Sequence, residues 1–397
     1  MVVRRDYFSA FARYTILNSS CLNNERKERM MENYLIMSEN LIVAKVIDGN
    51  IHILDDSRVP FYFKRHDDFR GWLRQRAIDD SRVNSRLLKK ALRLQQTDDI
   101  STALHFNAAT ITDTYWVKSE DSTLTYEDIK FKSNTFDNLA LTGDVNSFNQ
   151  KPSRTPELTN IGSYEKCWRL EDGAWWLYKA GSIEERFTEM LAYYLALELN
   201  IPIARYELAN GYIRSKDFTD GALVNYEPAA SIIGDRADYL DIYDAIQAIS
   251  PSLADSFVQM VYFDALIFNM DRHSMNYGFL RKVATGEIIG AAPLFDHNIA
   301  LISRGYPVSI ARQRDLLIED FIELLQNRDT GFDIPVLTKS MVNRAISRVG
   351  IDLERSQELS VAPYDFIREF VMNGQRRIVS ELSQTYTKTE RDEDFER

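Results

Sequence analysis

Two carboxylates and an amide near the middle of the second half stand out for what they could do together. Asp271 and Asn276 lie five positions apart in NMDRHSMNYGFLRKVATGEIIGAAPLFD (269–296), and Asp296 closes the stretch behind the apolar pair Leu294-Phe295. Phosphoryl transfer needs such parts. One carboxylate orients the attacking hydroxyl, while an amide oxygen and a second carboxylate hold Mg²⁺ against the nucleotide phosphates. Lys179 adds a cation in the β-rich run WWLYKAG. It can neutralise phosphate charge there if a carboxylate steadies its long side chain. Glu189 sits beside the apolar stripe of the next helix-patterned segment, where it can face the preceding strands. Taken singly, each of these also occurs as a surface acid or an edge-strand lysine.

Their order is more informative than any one of them. Asn160-Ile161-Gly162-Ser163-Tyr164-Glu165-Lys166 is a small-residue turn ahead of the Lys179 strands. Its backbone N–H groups can cover phosphates, although its single glycine matches no G-x-G-x-x-G. Turn, Lys179, Glu189, Asp271, Asn276 and Asp296 follow one another as a bilobal kinase requires. His273 and His297 read as structural hydrogen-bonding residues.

The elements that must position these residues are legible from periodicity and punctuation. Cys167–Leu170 and Trp175–Lys179 form a hairpin across Glu171-Asp172-Gly173. Ser182 with Glu185 makes a capping box for a helix whose apolar face is Phe187, Met190, Leu191, Tyr194 and Leu195, ending before Pro202. Strand-like runs follow at Ala204–Leu208 and Gly211–Ile213. Ser250-Pro251 opens an apolar helix to Phe268, aimed at the Asp271 loop. Further helices are expected at Asp315–Gln326, Ile334–Val349 and Tyr364–Tyr386.

Upstream, residues 1–34 carry helical spacing and a basic cluster at Arg26–Arg29. Leu41–Val46 and Ile51–Leu54 form a hairpin. Asp67–Leu94 reads as two helical parts with an N-cap at Asp79-Asp80-Ser81, and Tyr115-Trp116 as packing. The polar stretch 134–154 is the expected linker.

Composition narrows the class. With 397 residues, 45% hydrophobic and 12% aromatic, the chain can bury more than one core. A formal net charge of −11 argues against non-specific or direct nucleic-acid binding, which needs a basic footprint. Two cysteines and five scattered histidines make neither a disulfide framework nor a zinc site. No run is apolar enough for a signal peptide or a membrane span, and a cytoplasmic setting without membrane contact is expected.

At this point the sequence resembles the HipA-like serine/threonine kinases over about residues 155–385. MDRHSMNYGFL followed by PLFDHNIAL is similar to that family's D-R-H-x-x-N loop and later metal-binding aspartate, and EMLAYYLALELNIPIARYEL to its helix and turn into a strand. The resemblance implies Asp271 as catalytic base, Asn276 and Asp296 as Mg²⁺ ligands, Lys179 on the phosphates and Glu189 positioning Lys179. It implies adenine against the backbone near Ile213, Arg214 and Ser215, on a link between lobes. It also implies phosphates under Gly162 and Ser163, with Ser163 a candidate for regulatory phosphorylation. An antitoxin-like partner belongs to the same family picture. Residues 1–140, which mix a hairpin with helices, depart from the small β-rich N-terminal subdomain of the family's toxins, so the toxin role and a defined antitoxin partner are not carried over.

The expected architecture is therefore α+β, a bilobal protein-kinase-like fold with an extra N-terminal α+β domain. The boundaries are 1–140 for that domain, 141–215 for a strand-rich N-lobe, 216–386 for a helical C-lobe and 387–397 for a charged, disordered tail. The expected activity is ATP- and Mg²⁺-dependent transfer to a Ser/Thr hydroxyl of a protein, autophosphorylation included. Transfer to a small molecule or lipid, nucleotidyl transfer, and a non-catalytic nucleotide-binding scaffold remain open alternatives.

Overall fold

The computed structural model of the chain describes residues 33–76, 85–91, 93, 98–134, 136–143, 165–234, 236–305, 309–356 and 363–395; of residues 85 and 384–395 it describes the backbone only. The expected helix in 1–34, apart from its last two residues, the Asp79-Asp80-Ser81 cap and the Gly162-Ser163 turn lie outside these residues.

The N-terminal unit opens with β1 (Tyr34–Ser38), β2 (Leu41–Ile47) and β3 (Asn50–Ile53). Helices α1 (Phe61–Arg65), α2 (Phe69–Arg74), α3 (Ser85–Ala91) and α4 (Asp99–His105) follow, then β4 (Tyr115–Ser119), α5 (Tyr126–Ile129) and α6 (Asp137–Thr142). Its antiparallel sheet has the order β3-β2-β1-β4. The β2–β3 turn forms where expected because Asp48 and Gly49 both take positive φ, 50° and 85°, as a tight hairpin demands. Alternation along the strands gives the sheet two buried faces. Ile36, Val43 and Val117 pack on Phe63, Trp72 and Leu73, while Leu35, Met37 and Trp116 pack on Trp168 and Trp175 of the next sheet.

The stretch expected as a linker is partly something else. Within it α6 buries Leu139, Ala140 and Leu141, together with Phe136 just before it, against Cys167, Trp176 and Tyr178. Composition rich in Asn, Ser and Asp hid a short apolar face at helical spacing.

The second sheet contains β5 (Lys166–Glu171), β6 (Ala174–Lys179), β7 (Tyr206–Ala209) and β8 (Tyr212–Lys216), in the order β5-β6-β8-β7, all antiparallel. Between β6 and β7 runs α7 (Ile183–Glu198), with the expected capping box: Ser182 accepts from the Glu185 N–H while Glu185 accepts from the Ser182 N–H.

The remainder is mainly helical: β9 (Val224–Pro228), α8 (Ala230–Ile233), α9 (Tyr239–Gln247), α10 (Pro251–Ile267), β10 (Gly278–Lys282), β11 (Ile288–Ala291), α11 (Leu316–Asn327), α12 (Lys339–Arg355) and α13 (Tyr364–Phe395). Because α10 is apolar on all sides it sits at the centre, with Phe257, Val258, Val261, Phe263 and Leu266 buried. Ser250 occupies its N-cap position but makes no capping bond, pairing instead with the Ser252 hydroxyl at 3.0 Å. Helix α12 begins at Lys339 rather than Ile334, because Pro335 disfavours helix before it and Thr338 caps the new start. Helix α13 continues through Phe395, across the expected disordered tail, where Glu, Arg and Lys are all good helix formers.

A candidate active site between the second sheet and the helical body

Lys179 ends β6, and its register opposite Ile213 turns the side chain toward α7. Its Nζ lies 3.1 Å from Glu189 Oε1 and 2.7 Å from Asp296 Oδ1. Glu189 is fully buried on α7, whereas 23% of the Asp296 side chain is exposed. Burial works against the Lys179 ammonium, but the Asp296 and Glu189 carboxylates outweigh it and hold its pKa well above the ordinary value. Burial pushes the Glu189 carboxyl up, with Lys179 opposing. Burial would also raise Asp296, but the cations Lys179, Lys166 and Arg272 hold it well below the usual carboxylate range. The expected strand-Lys/helix-Glu pair therefore forms, and the later aspartate joins it.

Asp296 has φ of 63°, in the left-handed region where Asp is tolerated better than most residues. Its backbone N–H donates to the Tyr206 hydroxyl at 2.9 Å. Just before it, Leu294 bridges Ile203 in parallel register, which joins the entry to β7 to the helical body.

The Asp271–Asn276 loop starts where α10 stops. Phe268 takes φ 57° as the helix C-cap, and the chain turns out. Asp264, in the last turn of α10, accepts from Asn269 Nδ2 at 2.7 Å and takes a two-point ion pair from Arg272, at 2.7 and 2.9 Å. The Arg272 side chain is 2% exposed. Its Nη1 donates to the carbonyls of Asn276, at 2.6 Å, and Phe295, at 2.9 Å. One buried guanidinium thus fastens the loop bearing Asp271 and Asn276 to the segment bearing Asp296. Asn276 Nδ2 donates to the Asp271 carbonyl at 3.2 Å, which leaves its Oδ1 as the end available to a cation. The Asp264–Arg272 clamp escaped the sequence reading. Its signal was Asp264, the one acid in the apolar run Phe257–Met270.

Two expectations need correcting. Ile213, Arg214 and Ser215 lie inside β8, paired with β6 on one side and β7 on the other. They are sheet interior, not a link between lobes, and their backbone groups face neighbouring strands. Arg214 stacks 4.2 Å from the Trp176 ring centroid and pairs with Glu207 and Glu171. The chain leaves the sheet at Asp217, whose carboxylate accepts from the Thr219 and Gly221 N–H groups at 2.8 and 2.7 Å. The second correction concerns His297. It is fully buried edge-on to Phe263, and neither ring nitrogen has a hydrogen-bond partner among the described residues. Burial holds its pKa well below the ordinary value, which favours the uncharged ring. His273 behaves as expected, accepting from the Met275 N–H at 3.3 Å.

Arg272, His273, Ser274 and Tyr277 also line a cleft of about 570 Å³ with Arg236, Asp238 and residues of α9 and α11. Among the described residues no helix is long and apolar enough to cross a membrane.

No protein-family model and no curated protein matches the sequence. Solved structures do match. HipA of the Shewanella oneidensis MR-1 toxin–antitoxin system, in a complex with HipB and its operator DNA, aligns with 88% of this chain and 97% of its own, at TM-score 0.53 and 12% identity. The Helicobacter pylori proinflammatory kinase CtkA aligns with 56% of this chain and 95% of its own, at TM-score 0.40 and 16% identity. A share of 88% is more than residues 141–397 can supply, so the likeness to HipA reaches into the N-terminal unit that the sequence reading had set apart. In fold, the chain is HipA-like.

Proposed function

We propose that the protein is a kinase that transfers the γ-phosphoryl group of ATP to a Ser or Thr hydroxyl of a protein, with Mg²⁺ as cofactor. The observation that carries this reading is the convergence of Lys179, Glu189 and Asp296 within 3.1 Å contacts, with Arg272 holding the Asp271–Asn276 loop to the same segment. In this reading Asp271 accepts the proton of the acceptor hydroxyl. Lys179 neutralises phosphate oxygens and Glu189 keeps it extended. The cleft beside Arg272 and His273 gives room for the acceptor chain.

The donor set suits magnesium. Asn276 and Asp296 are oxygen donors, and Mg²⁺ is commonly held by one or two such groups plus phosphates and water. Among the described residues no trio of His, Cys, Asp and Glu gathers to make an all-protein cage. When bound, the ion screens charge on the transferring group. The adenine base is better served by the chain after Asp217 than by Ile213–Ser215, whose backbone groups the sheet occupies. The HipA likeness also motivates an antitoxin-like protein partner, and a site for phosphates under Gly162 and Ser163.

Purified protein incubated with γ-labelled ATP and Mg²⁺, with and without cell lysate, tests the reading. Label on protein Ser or Thr is expected, and Asp271→Ala should lower it by about 100-fold or more. In a parallel incubation, label incorporated into protein only from α-labelled ATP, with the γ-label leaving in pyrophosphate, would transfer the assignment to nucleotidyl transfer.

A further inference from the structure

β9 is an edge strand of the antiparallel sheet β11-β10-β9, and the N-terminal unit covers its outer side through Asn225, Tyr226 and Glu227. Asn225 Oδ1 accepts from the Thr114 N–H at 2.8 Å and hydroxyl at 3.0 Å. The Tyr226 N–H donates to the Thr112 carbonyl at 2.9 Å. Glu227 accepts from the Tyr115 hydroxyl at 2.9 Å and from the Phe61 N–H at 3.0 Å, and it pairs with Arg281. Arg281, fully buried on β10, also donates to the Val59 carbonyl at 3.0 Å and the Ser57 carbonyl at 2.6 Å.

Tyr226 itself and the start of α8, directly after the strand, hold the Asn276 loop. The Tyr226 hydroxyl donates to the Met275 carbonyl at 3.3 Å. The Ala229 N–H donates to the Tyr277 carbonyl at 2.9 Å, and the Ala230 N–H to the Ser274 carbonyl at 3.0 Å. The Tyr226 ring also meets Phe295, next to Asp296, edge-on at 5.8 Å. Residues 274, 275 and 277, which surround Asn276, are thus all anchored to a short segment whose own position the N-terminal unit sets.

From this continuity we infer that the N-terminal unit positions the metal-binding loop, with Asn225 and Glu227 as the positioning residues that transmit its docking. The inference rests on the proposed role of Asn276 and Asp296 toward Mg²⁺. None of these groups touches the reacting atoms. Their effect passes through the backbone at 274–277, so metal affinity should change without loss of nucleotide binding as such.

Full-length wild type, Asn225→Ala, Tyr115→Phe, Glu227→Ala and Glu227→Gln are titrated with Mg²⁺ in the presence of a fluorescent ATP analogue, and again in EDTA. Lys45→Ala, at an exposed pair with Glu120, is the control. Asn225→Ala, Tyr115→Phe and Glu227→Ala should raise the half-saturating Mg²⁺ concentration roughly 3–10-fold, with affinity in EDTA changed less than about twofold. Glu227→Gln should recover part of the loss. Hydrogen exchange at 273–278 should quicken in the same variants. Lower melting temperatures with wild-type Mg²⁺ midpoints and wild-type exchange at 273–278 would overturn the inference and leave a merely structural interface. If wild-type nucleotide binding shows no Mg²⁺ dependence, the metal reading fails first. Hydrogen exchange then decides alone: faster exchange supports positioning and unchanged exchange overturns it.

Discussion

Lys179 is shared by two carboxylates of different burial, and that asymmetry governs what its loss should do. Asp296 reaches solvent, whereas Glu189 does not. Removing the lysine leaves Glu189 as an uncompensated charge in the interior, so Lys179→Ala should cost about 3–5 kcal/mol of stability. Glu189→Gln added to it should return much of that loss, because the buried charge goes with it. Urea unfolding of the two single variants and the double variant measures the coupling. An additive double variant would mean that the pair carries no interaction of its own. On the proposed kinase reading the double variant should nonetheless remain inactive, since neither residue could then serve the phosphates.

At the level of elements, the loop after α10 is built by a charge placed inside an apolar helix. Asp264 is 1% exposed and has Asn269 and Arg272 as partners. Arg272→Ala should therefore destabilise by about 3–5 kcal/mol and free two carbonyls, those of Asn276 and Phe295. Denaturant titration gives the first effect. The second is expected as faster hydrogen exchange at 269–277 under conditions where the variant stays folded. Helix α6 offers a separate check on the expected linker. Leu139 is fully buried, so Leu139→Ala should cost about 2–5 kcal/mol by thermal or urea unfolding. A change within about 0.5 kcal/mol would restore the linker reading.

For the whole molecule, the N-terminal unit is held to the rest by buried polar contacts that leave no slack. Gly286, following β10, has φ of 72°, and a Cβ there would fall 1.6 Å from the Ser57 carbonyl oxygen. Gly286→Ala should cost about 1–3 kcal/mol from backbone conformation alone, with displacement of Ser57 added. Limited proteolysis should show the two units separating before either is digested. Ligand linkage provides the complementary test. If the proposed nucleotide reading holds, a hundredfold excess of MgATP over its Kd should stabilise the fold by about 2.7 kcal/mol, read as a higher Tm. EDTA should remove the metal-dependent part of that shift, as should Asp296→Ala.

Local chemistry explains how much of this was legible in advance. The Asp48-Gly49 turn, the Ser182–Glu185 box and the apolar α10 depend on neighbours within a few residues, and the sequence by itself determined them. The sequence also supplied the residue types of the proposed site, Lys179, Glu189, Asp271, Asn276 and Asp296, of which Lys179, Glu189 and Asp296 are in direct contact. Only the tertiary structure decided that Lys179 bridges residues 10 and 117 positions away, that Ile213–Ser215 are sheet interior, and that Asp264 and Arg272 join the two acidic segments. It also decided that the N-terminal unit grips β9. Those outcomes arise where a buried charge or an unpaired backbone edge must find its partner, and a distant partner leaves no periodic trace in the chain.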